Sequence, residues 1–178
     1  MTDKEIIYLY NKGQREWAFN LIVKNYSERI YQHIRRFVYS HDDADDLTQE
    51  VFIKIWAALP SYRGDAQLFT WIYRIATNQA LNLLRKQKLR TFFSLDSTDS
   101  VLVKKLEQDT YFNGDKLQTE LHKAIIKLPE KQRIVFNLRY FDEMKYEDIA
   151  EITGTSVGAL KASYHHAYNK IKETLLNL

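Results

Sequence analysis

The sequence predicts an all-α protein: two helical domains joined by a flexible linker, the second ending in a helix-turn-helix. Three observations carry this. Apolar residues recur at three- and four-residue intervals almost throughout. Only five Gly and two Pro interrupt 178 residues, which favours long helices over many short strands. One stretch, residues 91–113, is rich in Ser, Thr and Asp and loses the periodicity, as a linker between residues 1–90 and 114–178 would.

The first domain reads as four helices. The first spans roughly Asp3 to Asn11. The second runs from about Gln14 to Val38, with Trp17, Leu21, Tyr26, Ile30, Ile34 and Phe37 as core candidates. The third begins after Ser40-His41-Asp42-Asp43, since acids suit the positive end of a helix. It ends near Leu59-Pro60. After the loop Pro60–Asp65 the fourth runs to about Gln87.

That fourth helix separates its charges. No acid stands between Asp65 and Asp96, while Arg74, Arg85, Lys86, Lys88 and Arg90 do. At about 100° per residue, Leu68, Ile72, Ile75, Gln79 and Leu83 share a face, expected to be the core side. Trp71, Arg74, Asn78, Asn82 and Arg85 share another. An exposed Trp with Arg and Asn neighbours suits single-stranded bases: the ring stacks, Arg meets phosphate and Asn reads an edge. A buried Trp71 above a solvated basic face would give the same composition.

The third helix has the opposite character. Leu47, Val51, Ile55 and Leu59 form its core stripe. Asp46, Gln49, Glu50 and Ile53 lie round the side, with Phe52 and Trp56 four apart and so in contact. Aromatics bordered by carboxylates suit a protein partner better than DNA. An ordinary acidic first turn is the plainer alternative.

In the second domain Pro129 marks a helix start, and Ile134, Val135, Leu138, Tyr140 and Phe141 follow. From about Lys145 the chain carries a helix-turn-helix pattern. Ala150 lets two helices cross closely, and Gly154 suits the left-handed turn. Ser156 can cap the second helix. That helix is expected to bury Val157, Leu160, Tyr164, Ala167, Tyr168 and Ile171. Gly158, Lys161, Ala162, His165, His166 and Asn169 fall on the other face, and no acid lies between Gly154 and Lys172. Such a helix enters the major groove. His165 and His166 diverge by about 100° and so cannot share a metal.

Bulk properties narrow the class. The formal charge is +3, split as +4 over residues 1–90, −2 over 91–113 and +1 over 114–178. There is no Cys, which excludes disulfides and cysteine-ligated zinc. No run of about 18 apolar residues is present. The N-terminus has acids and no apolar core, unlike a signal peptide, so a cytoplasmic location is expected. No nucleophile–base pair, phosphate-cradling glycine loop or metal-ligand cluster stands out, so neither catalysis nor a cofactor is expected.

Several segments, in order and spacing, resemble one family. They are Asp42 to Trp56, Tyr62-Arg63-Gly64-Asp65, Phe69 to Asn78, Leu128-Pro129 with Gln132-Arg133, and the helix-turn-helix. Together they resemble the extracytoplasmic-function (ECF) sigma factors of the sigma-70 family, over almost the whole chain. The resemblance implies that the protein binds core RNA polymerase and directs promoter recognition, melting and transcription initiation. Residues 1–90 would be region 2-like and 114–178 region 4-like. Asp46, Gln49, Glu50, Phe52 and Trp56 match positions that dock on the beta-prime clamp helices, and the beta flap is a further core contact. Tyr62, Arg63, Trp71, Arg74, Asn78, Asn82, Arg85 and Lys86 match the reader of the minus-ten element on the non-template single strand. Ser156, Gly158, Lys161, Ala162, His165, His166 and Asn169 match the reader of the minus-thirty-five duplex. An anti-sigma factor, often membrane-bound, is the implied regulator. The chain departs from many relatives at Asn82, where they carry an acid, and at Ser163, His166 and Tyr168, where they carry Arg. A stand-alone helix-turn-helix regulator that binds duplex DNA without polymerase is the competing reading; it would dimerise on a palindrome.

Overall fold

A computed structural model describes residues 1–92, 97–112 and 114–178. Among them every regular element is helical: α1 (Asp3–Asn11), α2 (Arg15–Val38), α3 (His41–Ala58), α4 (Leu68–Thr91), α5 (Thr98–Gln108), α6 (Lys116–Ile126), α7 (Glu130–Phe136), α8 (Tyr146–Thr153) and α9 (Val157–Leu176). A 3-10 turn, Leu59–Ser61, follows α3, and a π-type turn, Asn137–Phe141, extends α7.

Local chemistry sets the helix ends. Thr2 and Glu5 form a reciprocal capping box on α1, and Ser40 caps α3 through the Asp43 N–H. Helix α2 stops at Tyr39, which adopts a left-handed conformation (φ 52°) and returns its N–H to the Arg35 carbonyl. A β-carbon disfavours that conformation. Burial offsets the cost, because Tyr39 is fully enclosed and its hydroxyl pairs with His122 Nδ1 at 3.1 Å.

Helices α1 to α4 pack round α2, with Ile22, Ile30, Ile34, Phe37, Val51, Ile55, Ile72 and Tyr73 in the core. Helices α6, α7 and α9 close a smaller core of Ala124, Ile125, Leu128, Phe136, Ala167 and Ile171. The two halves touch, with α8 packed on α4.

Four expectations need correction. Residues 91–113 are not unpatterned: they contain α5, whose Leu102 and Leu106 are fully buried. The Ser and Asp that suggested a linker are helix-start chemistry, since Ser97 caps α5 and Asp99 sits in its first turn. Residues 93–96 and 113 of that stretch lie outside the described residues. Trp17, placed in the core, is 60% exposed, because Ala18 and Ile22 take the inward phase. On α4 the buried stripe is Tyr73, Ala76, Ala80 and Leu84 alongside Leu68 and Ile72, whereas Ile75, Gln79 and Leu83 are half-buried. The small Ala side chains sit where α4 packs on its neighbours, a role that apolar size alone does not reveal. Tyr168, expected inside α9, is 49% exposed.

Candidate nucleic-acid and polymerase interfaces

Three surfaces carry the candidate residues. The first lies on α4 and the loop before it. Gly64 turns the loop with φ 78°, and the Tyr62 hydroxyl donates to the Ala66 carbonyl at 2.6 Å, closing it. Burial raises the Tyr62 pKa, so this hydroxyl stays protonated. The Tyr62 ring packs on Trp71, centroids 5.1 Å apart. Trp71 is therefore half-buried rather than the free stacking platform expected, and its surface is shared with Tyr62. Arg63, Asn78, Asn82, Arg85 and Lys86 are exposed. Arg74 is half-buried and donates to the carbonyl of Glu151 at 2.6 Å.

The second surface is on α3, and it divides the five expected residues. Gln49, Phe52 and Trp56 line a groove of about 610 Å³ with Glu16, Phe19, Asn20 and Ile53. Trp56 is 43% exposed and meets Phe19 edge-on at 5.0 Å, while Ile53 is 68% exposed. Phe52 is only 8% exposed and forms the floor. Asp46 and Glu50 face elsewhere, into a cleft of about 210 Å³ that also receives Asn82 and Lys86 of α4. The acidic side of α3 thus adjoins the basic side of α4, and each moderates the other's field. Ile53, placed by the sequence on this side of α3 but not among the contact residues, joins the groove, and Phe19 is new to it. Ile53 stands one helical turn from both Gln49 and Trp56, the spacing that puts it on their side; Phe19 comes from another helix, so only the fold brings it in.

The third surface is α9. Its N-cap is Ser156, whose hydroxyl accepts from the Ala159 N–H at 3.3 Å. Gly154 takes the left-handed turn (φ 69°) and bonds back to the Ala150 carbonyl at 2.8 Å, as the spacing predicted. Gly158, Lys161, Ala162, His165 and His166 are exposed along one side. Space beside Gly158 is open, so backbone is accessible there. Lys161 lies 5.8 Å from the Tyr146 ring centroid. Asn169 is half-buried, with its amide nitrogen 3.0 Å from His165 Nε2. The His165 and His166 rings are 6.1 Å apart and tilted by 61°.

An acid-free helix and a helix-turn-helix on one all-helical chain define the class of a DNA-binding protein. Residues 22–90 match the sigma-70 region 2 model and residues 118–171 the sigma-70 region 4 model. The chain is 32% identical to the RNA polymerase sigma-H factor of Pseudomonas aeruginosa, covering 97% of this chain and 93% of that protein. It is 33% identical to the ECF RNA polymerase sigma-E factor of Escherichia coli K12, covering 96% and 93% respectively. Its fold matches CnrH, solved with the cytosolic domain of CnrY (TM-score 0.72, 23% identity, 97% of this chain and 96% of that one). It also matches the sigma factor RpoE of Bartonella quintana, solved with the anti-sigma factor NepR (TM-score 0.70, 24% identity, 88% and 96%). This protein belongs to the ECF sigma factors of the sigma-70 family.

Proposed function

We propose that this chain is the promoter-specificity subunit of RNA polymerase, with its work divided between its two ends. Residues 1–90 bind core polymerase and the minus-ten element, 91–113 connect, and 114–178 bind the minus-thirty-five element. Helix α4 carries the reading furthest: its run from Gln67 to Arg90 has no acid and exposes Asn78 and Asn82. In water, Asn amides and Arg guanidinia supply base-edge and phosphate contacts. The groove round Trp56 and Phe19 offers the aromatic core of a protein interface with a polar rim, which suits the clamp helices of the beta-prime subunit. Duplex contact falls to Ser156, Gly158, Lys161, Ala162, His165, His166 and Asn169. A protein of the anti-sigma class would act by covering these surfaces, and no described helix is long and apolar enough to cross a membrane. A cytoplasmic location fits both. Run-off transcription with core polymerase on a promoter library tests the reading. Promoter-specific starts that depend on the chain are expected; failure of both core binding and specific initiation would sink it.

A further inference from the structure

One cavity shares no residue with the three candidate surfaces. It encloses about 780 Å³ between α2, α6, the π-type turn after α7, and α9. Small-molecule sites are roughly 300–1,000 Å³. Aromatic rings build its walls. Phe136 and Tyr140 stack with centroids 5.0 Å apart and planes 15° from parallel. His122 and Phe141 stack at 5.5 Å and 7°. The neighbours Tyr140 and Phe141 both line the space and meet edge to face at 5.0 Å. The π-type turn that carries them is a form of helix that recurs at functional sites.

The wall also holds a buried donor with nothing to donate to. His122 is 6% exposed and lines the cavity. Its Nδ1 lies 3.1 Å from the Tyr39 hydroxyl, and its Nε2 has no partner among the described residues. Tyr39 is fully enclosed, and burial raises its pKa, so the hydroxyl keeps its proton. An enclosed hydroxyl without an acceptor is costly. The Tyr39 hydroxyl therefore donates to Nδ1. Burial, reinforced by Arg36, keeps the His122 ring neutral at pH 7. A neutral imidazole carries a single N–H. That proton sits on Nε2, on the side of the ring away from Tyr39. The charge around it is mainly positive. Arg36 lines the same wall, 5.0 Å from the Phe141 ring centroid; Asp142 takes its Nη2, and its Nε has no partner. Lys172 of α9 stands exposed at the rim and forms no ion pair among the described residues. Asp115, the acid in the lining, is engaged at the α6 N-terminus, where it accepts from the Leu117 N–H at 2.9 Å.

We propose that this cavity is a binding site for a small aromatic carboxylate, its ring between the aromatic walls and its carboxylate on the His122 Nε2–H, with Lys172 at the rim. A bare hydrocarbon leaves that N–H unpaired, and a cation meets Arg36 and Lys172. The side of a partner's helix has its carbonyls already bonded within the helix, so it offers no main-chain acceptor at that depth. A concave aromatic space with one convergent buried donor suits a small molecule instead. The bound ligand touches α2 on one side and α6, the π-type turn and α9 on the other. It therefore stabilises the folded chain by mass action. The site is separate from the promoter and polymerase surfaces and stands whether or not the chain directs transcription.

Calorimetric titration of the full chain with 2-naphthoate tests the site. One molecule per chain is expected, with a dissociation constant on the order of 10–100 µM and a higher melting temperature at saturation. His122→Phe keeps a ring against Phe141 but removes the N–H, and should weaken binding about tenfold. Lys172→Gln should weaken it roughly two- to fivefold. Leu117→Trp, at a rim position that is 62% exposed, should obstruct the mouth and reduce binding further. Lys4→Gln, exposed on α1, should leave affinity unchanged. The neutral 2-naphthylmethanol and the aliphatic decanoate should each bind about tenfold more weakly than 2-naphthoate. Circular dichroism identifies any unfolded variant; Lys172→Gln and Leu117→Trp replace exposed side chains and carry the test if His122→Phe fails to fold. Absence of saturable binding overturns the proposal. Unchanged affinity in the folded site variants overturns it too, because the probe then sits elsewhere. Decanoate binding as tightly as 2-naphthoate overturns the aromatic class of ligand.

Discussion

At the scale of single residues, Asn78 and His122 make contrasting predictions. Asn78 is exposed on α4. Asn78→Ala should leave stability and core binding intact yet reduce heparin-resistant promoter complexes about tenfold, the worth of a good base-edge contact; an unchanged complex yield would refute its assignment. Trp56→Ala should do the reverse, weakening co-purification with core polymerase by the 1–2 kcal/mol or more that is roughly typical of a central interface aromatic, with strand binding untouched. His122 is enclosed by Tyr39, Phe112 and Phe141. Burial, reinforced by Arg36, pushes its pKa down to about 4. An unfolded His titrates near ~6.5, so between those values the unfolded chain binds the extra proton. Stability is therefore complete above that window and falls as pH drops through it, by on the order of 3 kcal/mol in full. Asp142, whose folded pKa is depressed, adds its own loss only at still lower pH, through and below the ordinary carboxylate value. Urea melts at pH 7 and pH 5 should show the decline, and His122→Phe should flatten it; equal slopes in both proteins would assign the acid sensitivity elsewhere.

At the scale of elements, helix ends were the most legible feature and helix phase the least. Ser156 and Gly154 are readable because a cap or a left-handed turn needs a specific residue at a specific place. The phase of α4 is hard to read from the sequence because Ala76 and Ala80 carry little hydrophobic signal, although small size is what lets α4 approach its neighbours. Helix α5 is hidden in the sequence because Ser97 and Asp99 serve equally as cap chemistry or linker composition, while the Leu102–Leu106 pair spans only one turn. Leu102→Ala should cost about 2–5 kcal/mol if α5 is part of the folded body, measured by denaturant unfolding; a loss below ~0.5 kcal/mol would make it a surface feature. The two glycines of the helix-turn-helix should respond with opposite signs. Gly154→Ala forces a β-carbon into φ 69° and should destabilise by roughly 1 kcal/mol. Gly158→Ala replaces a helical glycine beside open space and should stabilise by about 0.5–1 kcal/mol. Melting temperatures of the two variants check the pair.

At the scale of the whole molecule, the sequence could show three surfaces but not their neighbours. Asp46 and Glu50 looked remote from Asn82 and Lys86, yet they share a cleft between α3 and α4. Arg74 and Arg85 looked free for phosphate, yet Glu151 and Glu130 occupy them. Such pairings link residues far apart in the chain, and no periodicity encodes them. The proposed duplex-reading face is thin in cations, with Lys161 alone among its candidate residues carrying a fixed positive charge. Lys161→Ala should therefore lower the salt slope of upstream duplex binding by about 0.9, the value for one phosphate contact; a change confined to single-strand binding would place Lys161 on the wrong surface.

The contact between Arg74 and Glu151 has one property that residue names conceal. The acceptor is a main-chain carbonyl, which every amino acid supplies. Replacing Glu151 side chain by side chain removes the bond its carboxylate accepts from the Thr70 hydroxyl and leaves the Arg74 bond standing. A substitution scan along α8 would accordingly record this position as tolerant, although the backbone there fastens one half of the molecule to the other. What such a scan would register instead is displacement of the helix as a body, by an inserted residue or a shortened turn.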